Sequence, residues 1–129
     1  MQTSTHINPS LTELGKKFTQ TEVDSVTVEE GDLLYALVRM RKPHLAVETG
    51  TGHAISTKRI GEALRDNGEG FLLSCDTDPE YVRDAKMAMK GFPVDIRCTT
   101  GLQTLSNFDS QQAEFIFIDS GPAERRQEE

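Results

Sequence analysis

A glycine-rich turn between an apolar strand and an amphipathic helix is the feature that most constrains how this chain can fold. The run from Leu45 to Glu48 is apolar and ends in a carboxylate, and Gly50 and Gly52 follow at once. Apolar residues at helical spacing begin again at Ile55. Glycines let a backbone turn tightly and approach a ligand, and a helix N-terminus offers unpaired N–H groups. The junction therefore predicts a ligand site at the end of a buried strand.

The rest of the chain continues this alternation of strands and helices. Capping patterns, glycines and prolines predict helices that run from Thr27 to Lys42, from about 55 to Gly68 and onward from Asp78, with a short helix or turn over 102–108. Continuous apolar runs predict strands over 45–48, 71–75 and 115–118, and the alternating run over 94–98 predicts a strand nearer a sheet edge. Continuous apolar strands that alternate with amphipathic helices favour a parallel sheet covered on both faces. The predicted fold class is α/β, with a mostly parallel, Rossmann-like sheet flanked by helices.

The length of 129 residues suits a single domain. Within it we predict an N-terminal helical segment over 1–42, a cofactor-binding core over 43–121 and a charged tail over 122–129. A capping pattern at Ser10 and Glu13 predicts a further helix inside the first segment.

The charge balance and the cysteines narrow the class of function. Lys and Arg total 14 against 21 Asp and Glu, a formal net charge of -7. Such a chain is repelled by nucleic acid and by anionic membranes, so neither is an expected partner. No apolar run has the length of a signal peptide or a membrane span, so we expect a cytoplasmic protein. Cys75 and Cys98 lie in strand-like runs without metal-ligand spacing, which predicts two buried thiols and no metal site.

Two common nucleotide-binding motifs do not fit the glycine turn. A dinucleotide fingerprint requires a third small residue where this chain has Ile55, so a nicotinamide cofactor is disfavoured. A phosphate-binding P-loop requires Gly-Lys-Ser or Gly-Lys-Thr, which is absent here.

The stretch from Val47 to Thr57 instead resembles the first motif of class I S-adenosylmethionine-dependent methyltransferases, in particular the small-molecule O-methyltransferases. In that family the glycine loop packs against the methionine part and the ribose of the cofactor. The resemblance implies that Glu48 lies beside the methionine amino group or a water, and that the Ser56 hydroxyl touches the cofactor carboxylate. The cofactor-binding residues implied in this motif are Glu48, Thr49, Gly50, Gly52 and Ser56.

A second match follows the second predicted strand, at Ser74 to Pro79. By resemblance, Asp76 accepts hydrogen bonds from both ribose hydroxyls, and Thr77 borders the adenine. A simpler interpretation is that Asp76 caps the following helix, a duty for which Asp78 is an equal candidate.

Two further positions complete the predicted site. Asp119 ends the fourth strand, where the family faces the transferring methyl group, so it is the candidate catalytic residue; alternatively it only orders a loop. In the catechol-type branch this Asp binds a metal, but the remaining ligands come from later in the chain, so no metal is predicted. Leu102 is expected to cover the adenine, with Gln103 or a backbone carbonyl accepting from its amino group. His53 is interpreted as an exposed loop residue rather than a general base.

The resemblance implies a methyltransferase that moves the sulfonium methyl group to an oxygen or nitrogen of a small molecule. It runs from about Lys42 to Gly121, through four of the family's seven strands, so we expect a fold truncated after the fourth strand. The alternative is a non-catalytic binding or interaction module. The fourth strand would then be an exposed sheet edge that pairs with a second copy or a partner chain.

Overall fold

The computed structural model describes residues 26–107 and 112–119, which form a four-stranded sheet and its helices. The strands are β1 (Leu45–Thr49), β2 (Phe71–Asp76), β3 (Val94–Cys98) and β4 (Phe115–Ile118); the helices are α1 (Val28–Arg41), α2 (Ile55–Asn67), α3 (Pro79–Ala88) and α4 (Gly101–Ser106). The strand order is β3-β2-β1-β4, and every pairing is parallel. The predicted Rossmann-like α/β fold is confirmed. The helix predicted at Ser10 lies outside the described residues.

The helix boundaries follow the local signals in the sequence. The Thr27 side chain accepts from the Glu30 amide while Glu30 accepts from the Thr27 amide, which completes a capping box at the start of α1. The helix ends at Lys42, which is left-handed with φ 48° and precedes Pro43. Asp78 accepts from the Glu80 amide at the start of α3. Asp78 is therefore the helix cap, and the capping alternative for Asp76 is wrong.

The three longer helices cover one face of the sheet. Partners in a parallel register point to the same side, so Ala46, Leu72 and Val94 share a face. The main core cluster on this face joins α1 and α2 to the sheet through Leu34, Val38, Ala46, Ile60, Ala63, Leu64 and Leu72. A second cluster, on the same face, joins α3 to β3. Helix α1 thus shares one core with the sheet, although it lies in the predicted N-terminal segment.

The shorter helix α4 lies against the other face. Its first residue, Gly101, sits where a Cβ would come within 3.0 Å of the Thr49 side chain. On the same face, β4 presents Ile116 and Ile118, which are 48% and 63% exposed. Strand β4 pairs with β1 alone, so its outer edge is unpaired within the described residues.

The cysteine prediction is half wrong. Cys75 is buried, whereas Cys98 is exposed. Cys98 is the last residue of β3, which within the described residues is an edge strand paired with β2 alone. The alternation of polar and apolar residues over 94–98 predicts a strand near a sheet edge, and this prediction is confirmed. The burial predicted for the Cys98 thiol is wrong, because the last residue of an edge strand has few neighbours. Among the described helices, none is both long and apolar enough to cross a membrane.

Two glycines before β2 allow a matched test of this packing. Gly68 and Gly70 both have positive φ, 77° and 97°. A Cβ at Gly68 meets nothing within 4 Å, whereas a Cβ at Gly70 would lie 2.3 Å from the Pro43 carbonyl oxygen. We expect Gly68→Ala to lower the free energy of unfolding by about 1 kcal/mol because of backbone strain alone. Gly70→Ala should cost at least about 2 kcal/mol more because of the clash. Urea denaturation of both variants measures the difference, and equal losses would contradict the described approach of Pro43.

Candidate functional site

The glycine loop lies at the carboxyl end of β1, where the backbone takes conformations that favour glycine. Gly50 and Gly52 have φ values of 89° and 51°. The amides of Gly50 and Thr51 both donate to the Cys75 carbonyl oxygen, at 2.8 and 3.0 Å, which ties the loop to β2. These two backbone bonds help to hold the loop in place, and the two glycines leave part of its surface without side chains.

The first turn of α2 follows this loop without a capping side chain. Its N-cap residue is Ala54, which is left-handed with φ 65° and makes no side-chain hydrogen bond. The N-terminal N–H groups of a helix then have no side-chain acceptor at the cap, and the helix dipole favours a negative group there. An arrangement of this kind suits the carboxylate or phosphate of a ligand.

Glu48 lies completely buried beneath the loop. Its carboxylate accepts hydrogen bonds from the hydroxyls of Ser56, Thr57 and Ser74, the last at 2.7 Å. No ion pair reaches Glu48 within the described residues. Burial raises the pKa of Glu48 from 4.5 to about 7, against the three hydroxyl donors and with help from the negative charge of Asp119.

This arrangement differs from the surface contacts implied for Glu48 and Ser56. The Ser56 side chain is buried, and its hydroxyl donates to Glu48. Both side chains therefore lie buried beneath the glycine loop, where they bond to each other. The part of Ser56 that remains suited to a ligand is its backbone N–H group in the first turn of α2.

Asp76, at the end of β2, links the loop to the start of α3. Its Oδ2 accepts from the Gly52 amide and its Oδ1 accepts from the Asp78 amide, both at 2.9 Å. Each carboxylate oxygen has a second lone pair, so Asp76 can accept further hydrogen bonds. Thr77 follows it at an exposed position. The acid and the glycine loop thus meet at one edge of the sheet, as the sequence predicts.

The other predicted residues lie around the same edge. The Asp119 amide donates to the Thr49 carbonyl oxygen at 3.0 Å, which places Asp119 at the carboxyl end of β4 beside β1. Asp119 is exposed, whereas the Thr49 side chain is buried. Leu102 is 80% exposed in the first turn of α4, next to Gly101 and its close approach to Thr49. The ends of β1, β2 and β4 therefore lie side by side at one edge of the sheet, where open α/β sheets hold a ligand in a crevice. This place is called the crevice.

Gln103, one predicted acceptor for the adenine amino group, has a hydrogen-bond partner of its own. The Gln103 side-chain oxygen accepts from the Thr99 hydroxyl at 2.5 Å, so this amide is already oriented within its own turn.

His53 is exposed, and its ring packs edge-on against Tyr81 at 5.0 Å between centroids. Within the described ranges, no group of three His, Cys, Asp or Glu side chains is placed to hold a metal ion.

Three buried hydroxyls of the site were missed in the sequence: Thr51, Thr57 and Ser74. Ser74 alone left a signal, because it is a polar residue inside the apolar run of β2.

A separate groove of about 400 Å³ lies outside the crevice, against α2 and the end of α3. It is lined by His53, Ala54, Ile55, Lys58, Arg59, Glu62, Ala88 and Met89, and none of these is a predicted cofactor residue.

The raised pKa of Glu48 predicts how stability changes with pH. The folded chain holds this proton up to about pH 7, whereas the unfolded chain releases it near 4.5. The stabilisation is therefore fully present below pH 4.5 and is lost as the pH rises through 7. We expect the wild-type free energy of unfolding to fall by about 3 kcal/mol across this window. Glu48→Gln has no proton to lose, so its unfolding energy should lack this fall.

Urea denaturation at pH 5, 6, 7 and 8 measures both chains. The difference between the two proteins isolates Glu48 from the exposed acids, which the variant keeps. The same pH dependence in both would contradict the assignment of a buried, protonatable Glu48.

The family model and the curated relatives that match this sequence are described as methyltransferases. A family model described as a methyltransferase domain matches residues 47–129. A protein from Mycobacterium sp. (strain JLS), named "Putative O-methyltransferase", is 32% identical over 108 residues, which cover 80% of this chain and 48% of that protein. The chain thus spans about half the length of the curated relatives it matches.

Solved structures show the same fold. The Podospora anserina methyltransferase PaMTH1, bound to S-adenosylhomocysteine, is 22% identical with a TM-score of 0.65, over 81% of this chain and 47% of that chain. The O-methyltransferase TomG from Streptomyces achromogenes, in complex with S-adenosylmethionine, is 24% identical with a TM-score of 0.64, over 81% of this chain and 49% of that chain. The fold is the Rossmann-like methyltransferase fold, and because the family model covers more than half of the chain, the chain belongs to the methyltransferase-domain family.

Proposed function

We propose that this chain binds S-adenosylmethionine in the crevice at the carboxyl ends of β1, β2 and β4. The observation that carries the proposal is the meeting of Asp76 with the glycine loop, joined by the 2.9 Å bond from the Gly52 amide. One carboxylate thereby fixes the loop and keeps lone pairs for ribose hydroxyls. Two proteins of similar structure, PaMTH1 and TomG, bind S-adenosylhomocysteine and S-adenosylmethionine, respectively.

The residues present fit such a cofactor. Gly50 and Gly52 offer a surface without side chains, and the uncapped first turn of α2 suits the carboxylate of the methionine part. Asp76 would accept from the ribose, while the exposed Thr77 and Leu102 would border the adenine. Thr49 contributes through its backbone at the edge of the crevice.

The proposed reaction is transfer of the sulfonium methyl group to an oxygen or nitrogen atom of a small molecule. The bound cofactor supplies an activated methyl group together with its own thioether leaving group. The contribution of the protein is then mainly to position the acceptor and to shape the local charge. Asp119 is the proposed catalytic residue, because it is exposed at the end of β4 beside the crevice. Its carboxylate would accept a proton or a hydrogen bond from the acceptor.

Replacement of Asp76 tests the cofactor site. Asp76→Ala removes both the proposed ribose acceptor and the anchor of Gly52, so we expect the affinity for S-adenosylhomocysteine to fall about tenfold to hundredfold. The matched control is Asp78→Ala, which removes a neighbouring carboxylate that caps α3. Calorimetric titration should show wild-type affinity for this control and no binding of NAD to any of the three chains. Equal affinities of the Asp76 variant and the wild type would contradict the proposed site.

A second candidate function, an interaction module, is favoured by the open edge of β4. We propose in this case that two copies pair their β4 strands across a twofold axis, because one edge strand offers complementary N–H and C=O groups to another. The exposed Ile116 and Ile118 would then lie beside apolar residues of the second copy on one face of the extended sheet. Glu114 and Asp119 lie at the two ends of β4, so salt should strengthen an antiparallel pairing by screening their repulsion.

The oligomeric state tests this second candidate. We expect a dimer by light scattering in the wild type, and a monomer in Ile118→Lys, because a lysine would be placed at the paired edge. The matched control is Met87→Lys, at an apolar residue of α3 that is 74% exposed and lies away from β4. This control should remain a dimer. A wild-type chain that stays monomeric at all concentrations and salt levels would contradict the pairing.

A further inference from the structure

Two buried hydroxyl groups connect the Glu48 carboxylate to the glycine loop. Ser74 Oγ lies 2.7 Å from Glu48 Oε1, and Thr51 Oγ1 lies 2.6 Å from Ser74 Oγ. All three residues are buried. Because Thr51 stands between Gly50 and Gly52, this chain of hydrogen bonds ends in the centre of the loop.

The direction of these bonds depends on whether Glu48 carries a proton. An ionised carboxylate can only accept, so Ser74 donates its single proton to Glu48 and must accept from Thr51. A protonated carboxyl group has one proton among three hydroxyl neighbours, so one of those neighbours must become an acceptor. Of the three, Ser74 has a second hydroxyl partner, and it can accept from Glu48 while it donates to Thr51. The reversal then turns Thr51 from a donor into an acceptor.

Thr51 holds the loop through its backbone as well. Its amide donates to the Cys75 carbonyl oxygen at 3.0 Å, and its carbonyl oxygen accepts from the Ala54 amide at 2.9 Å. The next amide, that of Gly52, donates to Asp76. A change at the Thr51 side chain therefore acts on both ends of the loop, including its bond to the proposed ribose acceptor.

We propose that Thr51 and Ser74 are positioning residues that hold the glycine loop in its cofactor-binding conformation more firmly when Glu48 is ionised than when Glu48 is protonated. The inference rests on the proposed cofactor site, and it does not require either hydroxyl to touch the cofactor. Hydrogen bonds to an ionised acceptor are shorter and stronger than those between neutral groups. The ionised state therefore fixes Thr51 more firmly, even though burial of the charge lowers the stability of the whole fold.

The groups around Glu48 determine where this switch operates. Asp119, beyond β4, and Cys75, on β2, are the titratable groups that interact with it, while α2 contributes the uncharged hydroxyls of Ser56 and Thr57. With burial, these surroundings bring the pKa of Glu48 to about 7. The loop should then respond between pH 6 and pH 8.

Calorimetric titration with S-adenosylhomocysteine at pH 6 and pH 8 tests the proposal in the full chain. We expect the wild type to bind about tenfold more weakly at pH 6 than at pH 8. Thr51→Val keeps the shape of the side chain but breaks the hydrogen-bond chain. It should bind about tenfold more weakly at pH 8 and should lose most of the pH dependence. Thr51→Ser restores the hydroxyl and should restore both properties.

The matched control is Thr57→Val. It removes a hydroxyl from the same carboxylate but leaves the connection through Ser74 intact. This variant should keep the pH dependence of binding, with its midpoint moved to higher pH because Glu48 has lost a donor. Wild-type pH dependence in Thr51→Val, or its loss in Thr57→Val, would overturn the proposal.

A measurement without ligand separates this inference from the proposed function. If the wild type fails to bind S-adenosylhomocysteine at both pH values, the proposed cofactor site fails. The hydrogen-bond chain is then judged by nuclear magnetic resonance of the Thr51 and Gly52 amides. In the wild type these amide signals should shift with the ionisation of Glu48. In Ser74→Ala the shift should largely disappear while the Glu48 carboxyl itself still titrates, and unchanged shifts would overturn the proposal.

Discussion

A buried carboxylate at the junction of β1, β2 and α2 organises the functional end of this protein. Glu48 is fully enclosed, and the three hydroxyls that donate to it come from two different elements, α2 and β2. Burial of this carboxyl group without hydrogen-bond donors would cost several kcal/mol of folding free energy. The fold therefore depends on the three hydroxyls that donate to Glu48. The first turn of α2 is thereby fixed against the sheet, and the glycine loop between them has a defined floor.

The main features of the fold could be predicted from the sequence because they depend on local signals. The capping box at Thr27, the left-handed glycine at 68 and the Asp78–Pro79 start of α3 each act within a few residues. The strands β3 and β4 begin and end as predicted, β3 from an alternating run and β4 from a continuous apolar run. The alternation also predicts that β3 lies near a sheet edge, and it does. Cys98 is exposed at the end of this strand, although its strand-like run predicts burial.

The site could be predicted in position but less well in the role of each residue. Asp76 and the glycine loop meet as expected, because the carboxyl ends of parallel strands share one edge of the sheet. The burial of Glu48 and Ser56 was not foreseen, since a motif does not show which side chains bond to each other beneath a loop. Thr51 and Thr57 left no signal at all, because a threonine in a loop or a helix has many uses. Roles for Thr49, Thr77, Leu102 and Asp119 stay predictions.

The central claim is that the cofactor lies in the crevice at the ends of β1, β2 and β4, and titration of the isotopically labelled chain with S-adenosylhomocysteine tests it most directly. Nuclear magnetic resonance would follow every backbone amide. With the cofactor in this crevice, the largest changes should occur at Gly50 to Gly52, at Asp76 and Thr77, and at Leu102 and Asp119. Changes centred on Lys58, Glu62 and Met89 would instead place the ligand in the groove outside the crevice and would rule out the proposed site.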